Sequence, residues 1–135
     1  MLMIDSNIWA YFFDSNTPEH KKVKKPVRDA IGNNEILMST VIQMELIHYL
    51  IKRLGPIMGG EKLDIFLNYP FKLDVLDQGL VNISLGVFQR YYHLGIGVRD
   101  ASIIASMKRN DVTKLITHDK ALKKIEEIEL IDPVS

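Results

Sequence analysis

Short apolar runs recur along this 135-residue chain between longer stretches of helical periodicity, and two of them give way almost at once to an acid. That alternation admits few architectures. Runs too short for helices become strands, the longer stretches cover them, and a strand-helix rhythm along one chain makes the sheet mostly parallel. We therefore expect a three-layer α/β/α domain around a central, mostly parallel sheet of four to five strands. Leu2 to Ile4 reads as the first strand, Glu35 to Ser39 as the second, Phe71 to Leu76 as the third, Lys114 to Thr117 as the fourth and Ile128 to Ile131 as a short last one.

Glycine, proline and capping residues punctuate the helices. Thr17-Pro18 opens a helix to about Ile31 with a stop at Gly32, and Lys25-Pro26 predicts a kink or break inside it. Ser39 or Thr40 caps a very apolar helix that ends at Leu54-Gly55-Pro56. A Gly59-Gly60 joint leads into Glu61 to Tyr69. Asp77 caps a long helix to about Leu94, Gly95 closes it, and Asp100 opens the last one, with Ile103, Ile104 and Met107 on one face and Asn110 as a left-handed stop. No repeat or linker divides residues 1–135, so one domain with one core is expected.

Asp5 closes the run Leu2-Met3-Ile4, and Asp119 follows Leu115-Ile116 after Thr117 and His118. If those runs are neighbouring parallel strands, both acids lie at the sheet edge where open α/β folds bind ligands. Each acid also has a plainer role. Asp5, Asp100 and Asp119 are all placed to cap helices. Glu45 shares a helical stripe with His48 and Lys52, which reads equally well as a solvated face. Capping does not require the acids to converge on one side of the sheet, however, and carboxylates that do converge repel one another unless a positive charge lies between them. A hard divalent cation, which takes oxygen ligands, answers that requirement.

Composition removes several other chemistries. With no cysteine there is no disulfide, thiolate metal site or cysteine nucleophile. The four histidines lack zinc-ligand spacing, and no nucleophile elbow, phosphate-binding loop or dinucleotide fingerprint occurs. Basic and acidic side chains balance at 17 each, so a polyanion would be met by local patches such as Lys21 to Arg28. No apolar stretch reaches bilayer length, and the expected location is the cytoplasm, with no membrane partner. Trp9, Tyr11, Phe12 and Phe13 read as core or subunit interface in preference to a base-stacking platform.

The ordered set Asp5-Ser6-Asn7, Glu45, Arg99-Asp100-Ala101-Ser102-Ile103-Ile104-Ala105 and Leu115-Ile116-Thr117-His118-Asp119 resembles the PIN-domain family across essentially the whole chain. Its compact form looks most like the VapC-type toxins of toxin-antitoxin pairs. The resemblance implies a PIN-like fold and a metal-dependent ribonuclease. Asp5, Glu45, Asp100 and Asp119 would be the acidic site, Asp5 and Asp100 binding Mg2+ or Mn2+ directly and the other two directly or through water. Asn7 and Thr117 would support it. Arg99 and Lys120 would hold flanking RNA phosphates. A cognate antitoxin and a homodimer are also implied. One departure is Leu122, where the family often has an aromatic.

Three rivals remain open at this stage. One is a PIN-like RNA-processing nuclease outside a toxin system. A second is a phosphatase with Asp5 as nucleophile, although such sites usually want a second aspartate where this chain has Asn7. The third is a non-catalytic binding module whose acids only cap helices.

Overall fold

The computed structural model describes residues 1–135. Five strands form one sheet: β1 (Leu2–Ile4), β2 (Ile36–Ser39), β3 (Lys72–Asp74), β4 (Lys114–Ile116) and β5 (Glu129–Ile131). All neighbours pair in parallel, in the order β3-β2-β1-β4-β5. The chain thus builds outward from β1 on one side, then returns to add β4 and β5 on the other. The switch point of the sheet falls between β1 and β4, where Met3 pairs with Leu115 and Ile4 with Ile116. β1 is buried along its whole length, which explains its unbroken apolar sequence.

The helices are α1 (Ser6–Phe13), α2 (His20–Asn33), α3 (Thr40–Leu67), α4 (Gln78–Tyr91) and α5 (Val98–Arg109). 3-10 turns follow at Tyr92–Leu94 and Lys120–Lys124. Leu46 and Leu50 of α3 join Ile103, Ile104 and Ala105 of α5 in the core around β1, β2 and β4. Trp9 anchors one end. Its indole N–H donates to the Ile4 carbonyl at 3.0 Å, and its ring meets Phe66 and Phe71 edge-on at 5.3 and 5.6 Å. The N–H would otherwise be a buried donor without an acceptor, so this bond lets the large ring be buried. Phe12 and Phe13 lie partly buried in the same aromatic cluster, whereas Tyr11 lies toward His118.

Several boundaries differ from the sequence reading. Helix α2 begins at His20, because Thr17 and Pro18 form a turn in which Thr17 N–H donates to Asp14 O and His20 N–H to Thr17 O. It passes through Pro26 without a break and runs beyond Gly32 to Asn33. Ser39 caps α3, its hydroxyl accepting from Val41 N–H at 3.1 Å. That helix does not stop at Gly55. It kinks there, with φ +84°, and resumes at once through Pro56, which suits the first turn of a helix because it needs no N–H donor. Gly59 is no joint but a contact point, since a Cβ there would lie 2.6 Å from the Leu50 carbonyl oxygen. Asp77 caps α4 through Leu80 N–H as expected. The last helix opens at Val98 with Gly97 before it, which puts Asp100 in its first turn instead of at its cap. Its left-handed stop is Asp111, with φ +58°, and not Asn110.

A polar clamp locks α5 to the sheet edge. Asp74, at the end of β3, accepts from the buried Ser106 hydroxyl at 2.6 Å and pairs with Arg109, which also holds Asp77 at 2.7 Å. This ties β3, the start of α4 and the end of α5 together, and so fixes the far end of the helix whose first turn carries Arg99 and Asp100.

Candidate metal centre

The site is assembled from the ends of β1 and β4, the first turns of α1 and α5, and the second turn of α3. Asp5 leaves β1 with only 1% of its surface exposed. One oxygen accepts from Ser6 N–H at 2.7 Å, so the capping role is real. The other accepts from the buried Thr117 hydroxyl at 2.8 Å, across the switch point. Thr117 Oγ1 accepts in turn from Asp119 N–H at 3.1 Å, and Asp119 caps the following turn through Ala121 N–H at 3.0 Å. Capping and convergence are therefore not alternatives here. The same side chains do both.

Arg99 stands among the acids. Its Nη2 donates to Asp5 Oδ1, to Ser6 Oγ at 2.9 Å and to Glu45 Oε1 at 2.6 Å. Its Nη1 reaches Asp100 Oδ1 at 3.1 Å. Arg99, expected to hold a flanking phosphate, here commits its guanidinium to the carboxylates inside the site. Arg99 precedes Asp100 in the first turn of α5, and its side chain turns inward to the acidic edge. Ser6 is a contact that sequence reasoning missed; its place next to Asp5 was the available signal. Asn7 joins the network loosely, its amide meeting Thr117 Oγ1 and His118 N–H at 3.4 Å each. Lys120 is exposed at the start of the 3-10 turn.

Glu45 is turned toward Arg99 and is 37% exposed, while His48 and Lys52, on the same stripe, face solvent. The helix is less buried than its composition predicts, for Met44 and, past the kink, Ile57, Met58 and Ile65 are more than half exposed.

The charges are unevenly balanced. Burial works against the Arg99 guanidinium, but Asp5 and Glu45 outweigh it and hold the proton on. Asp100 goes the other way: burial raises its carboxyl above the ordinary range, the Asp119 charge adds to this, and the Arg99 hydrogen bond only partly opposes it. One guanidinium shared among Asp5, Glu45 and Asp100 leaves the centre anionic, with Asp119 close enough to be felt. Hard oxygen donors with surplus negative charge fit a divalent cation in chemistry. They do not yet fit it in pose. No group of three His, Asp or Glu side chains is placed to hold a metal ion, since the oxygens converge on the guanidinium. With Arg99 in place, no buried side-chain nitrogen or oxygen lacks a partner.

Sheet order and acid placement together define an open α/β domain with an anionic centre at its switch point. The chain belongs to the PIN-domain family, whose model matches residues 2–128, and the resemblance carried by its ordered motifs is borne out. Solved structures share the fold. A chain of VapBC2 from Rickettsia felis, bound to a promoter DNA fragment, superposes with a TM-score of 0.76 at 20% identity, over 97% of each chain. VapC20 of Mycobacterium tuberculosis, a toxin that cleaves the sarcin-ricin loop, gives 0.74 at 14% identity, over 95% of this chain and 98% of that one. DNA-bound VapBC from Salmonella typhimurium gives 0.74 at 18% identity, over 98% and 97%. No curated protein matches the sequence. No helix is long and apolar enough to cross a membrane.

Proposed function

We propose that the anionic centre hydrolyses RNA phosphodiester bonds with Mg2+ or Mn2+, and that the chain is the toxin of a toxin-antitoxin pair. The observation that carries this reading is the convergence of Asp5, Glu45 and Asp100 on one point at the switch of the sheet, with a single guanidinium to share. Asp5 and Asp100 would hold the cation directly, Glu45 and Asp119 directly or through water. A divalent ion so held would supply Lewis acidity and a more acidic water for attack at phosphorus. The protein's own share is positioning. The Thr117 hydroxyl and Ser6 N–H fix both Asp5 oxygens, and the clamp at Asp74 fixes the helix that presents Asp100. Arg99, released from the acids by the cation, and the exposed Lys120 would then hold the flanking phosphates.

The antitoxin reading draws on neighbouring folds that were solved as toxin-antitoxin complexes. It also draws on an apolar groove of about 500 Å3 with Arg99 in its lining, along which Leu76, Val81, Leu85 and Val98 are exposed. We assign this groove to an apolar antitoxin segment, and the exposed Ile57, Met58 and Ile65 of α3 to the contact with a second copy. Cleavage of labelled RNA by wild type with Mg2+, abolished by EDTA and by Asp5→Asn or Asp100→Asn, is the expected result. A folded Asp100→Asn protein, free of contaminating nuclease, that cuts like wild type would sink the assignment.

A further inference from the structure

A second cavity opens beside the acids. Ala10 and Tyr11 of α1 and Leu46 and Tyr49 of α3 line it, its volume is about 260 Å3, and its rim is made by Ser6, Asn7 and Glu45 of the anionic centre. Its two tyrosines are both partly buried and separately anchored. The Tyr49 hydroxyl donates to Asp14 Oδ2 at 3.0 Å, and Asp14, only 2% exposed, is itself fixed at the end of α1. The Tyr11 ring lies 6.5 Å from the His118 imidazole, edge to face, and its carbonyl is bonded to His20 Nδ1 at 2.8 Å. Asn7, on the shared rim, meets its two protein partners only at 3.4 Å. Bonds that long leave the amide free to re-aim a donor and an acceptor at a ligand.

We propose that this cavity is a nucleobase subsite, taking the base of the nucleotide next to the phosphate held at the acids. The inference rests on the ribonuclease reading and deepens it. A ribonucleotide chain necessarily carries a base within one sugar of the scissile phosphate, and the cavity is contiguous with the place where that phosphate would lie. Tyrosine rings offer stacking to any base, and a side-chain amide can read a base edge. An apolar peptide side chain would use the rings but not the Asn7 amide, whose 3.4 Å contacts leave it able to turn to a ligand, so the observations favour a base.

The test uses the full chain with Mn2+, short oligoribonucleotides, and the same oligoribonucleotides with an abasic residue moved one position at a time. For wild type, one abasic position next to the cut should raise KM about tenfold with a smaller change in kcat. Tyr49→Leu should raise KM for intact RNA to the same extent and erase the penalty at that position, and Tyr49→Phe, which keeps the ring, should recover most of it. Tyr11→Leu is the second variant, should Tyr49→Leu melt too low to assay. If the folded leucine variants keep wild-type KM and wild-type base preference, the proposal is overturned and the cavity passes to a protein partner. If wild type cuts no RNA, the ribonuclease reading falls by itself, and fluorescence anisotropy of the same oligoribonucleotides decides the subsite. Binding that is weakened by one abasic position and by Tyr49→Leu supports it, and binding indifferent to both, or absent, overturns it.

Discussion

Arg99 grips Glu45 across 54 residues of sequence, Nε lying 2.9 and 3.0 Å from the two carboxylate oxygens while Nη2 reaches Oε1 at 2.6 Å. Because the same guanidinium also holds Asp5 and Asp100, it stands where a cation would have to stand. Two positive groups cannot share that point. Arg99→Gln should therefore bind Mn2+ at least tenfold more tightly than wild type by titration calorimetry, and melt lower in EDTA by about 3 kcal/mol because buried Asp5 loses its counter-charge. Adding Mn2+ should restore much of that loss. Equal Mn2+ affinity in the two proteins would show that Arg99 and the metal do not compete.

Asp100 gives a prediction with the opposite sign. Its carboxyl is held above the unfolded value, so its contribution to stability is present at low pH and disappears as pH rises through the folded pKa. Asp100→Asn cannot ionise. In EDTA it should melt above wild type at neutral pH, with the gap closing toward acid, while metal-dependent cleavage is lost. Thermal melts across a pH series decide this, and a variant that melts below wild type at every pH contradicts it.

Asp132 shows the ordinary carboxylate behaviour. Burial opposes its ionisation, but the Ser135 hydroxyl, the His118 imidazole and Val134 N–H overcome this and bring the carboxyl down to about 2. The resulting stability is present above the unfolded value of 3.8 and is lost as pH falls from there toward 2. Asp132→Asn should cost about 2 kcal/mol at neutral pH and nearly nothing at the acid end of that window, read by urea denaturation at several pH values.

The kink in α3 depends on two glycines for different reasons. Gly55→Ala places a Cβ on a backbone with φ +84° and ψ 171°, a region almost confined to glycine, and should destabilise by about 1–3 kcal/mol. Gly59→Ala drives a methyl against the Leu50 carbonyl, 2.6 Å away, and should cost a similar about 1–3 kcal/mol as the halves of the helix separate. Gly60→Ala, whose Cβ would meet nothing within 4 Å, is the control and should melt at or above wild type.

The inner strands were legible in sequence because burial writes itself as unbroken apolar runs, and Leu2 to Ile4 and Lys114 to Ile116 emerged with little change, whereas the mostly exposed edge strand expected over Phe71 to Leu76 shortened to Lys72–Asp74. The helix joints were harder. Gly55-Pro56 carries the same letters whether a helix ends or kinks, and the difference lies in the contact that Gly59 makes with Leu50, nine positions earlier in the chain. The acids could be ordered along the chain, and their order pointed to the family. What sequence could not supply was the direction of Arg99. A basic residue beside an acid in a first turn points outward or inward according to where the helix starts, and here the helix cap lies three residues earlier than expected, at Gly97 instead of Asp100.

Asp5 and Thr117, joined by one hydrogen bond, lie 112 positions apart. During synthesis the first of them is made 112 residues ahead of the second. Until β4 slots in beside β1, Asp5 has no Thr117 to hold its second oxygen, and Arg99 and Asp100 have no finished sheet edge to meet. A nascent chain that lacks β4 therefore has no assembled acidic centre. On the proposed reading as an RNA-cutting toxin, the message and ribosome that produce it would be spared until β4 has been made, which is also when an antitoxin would be needed.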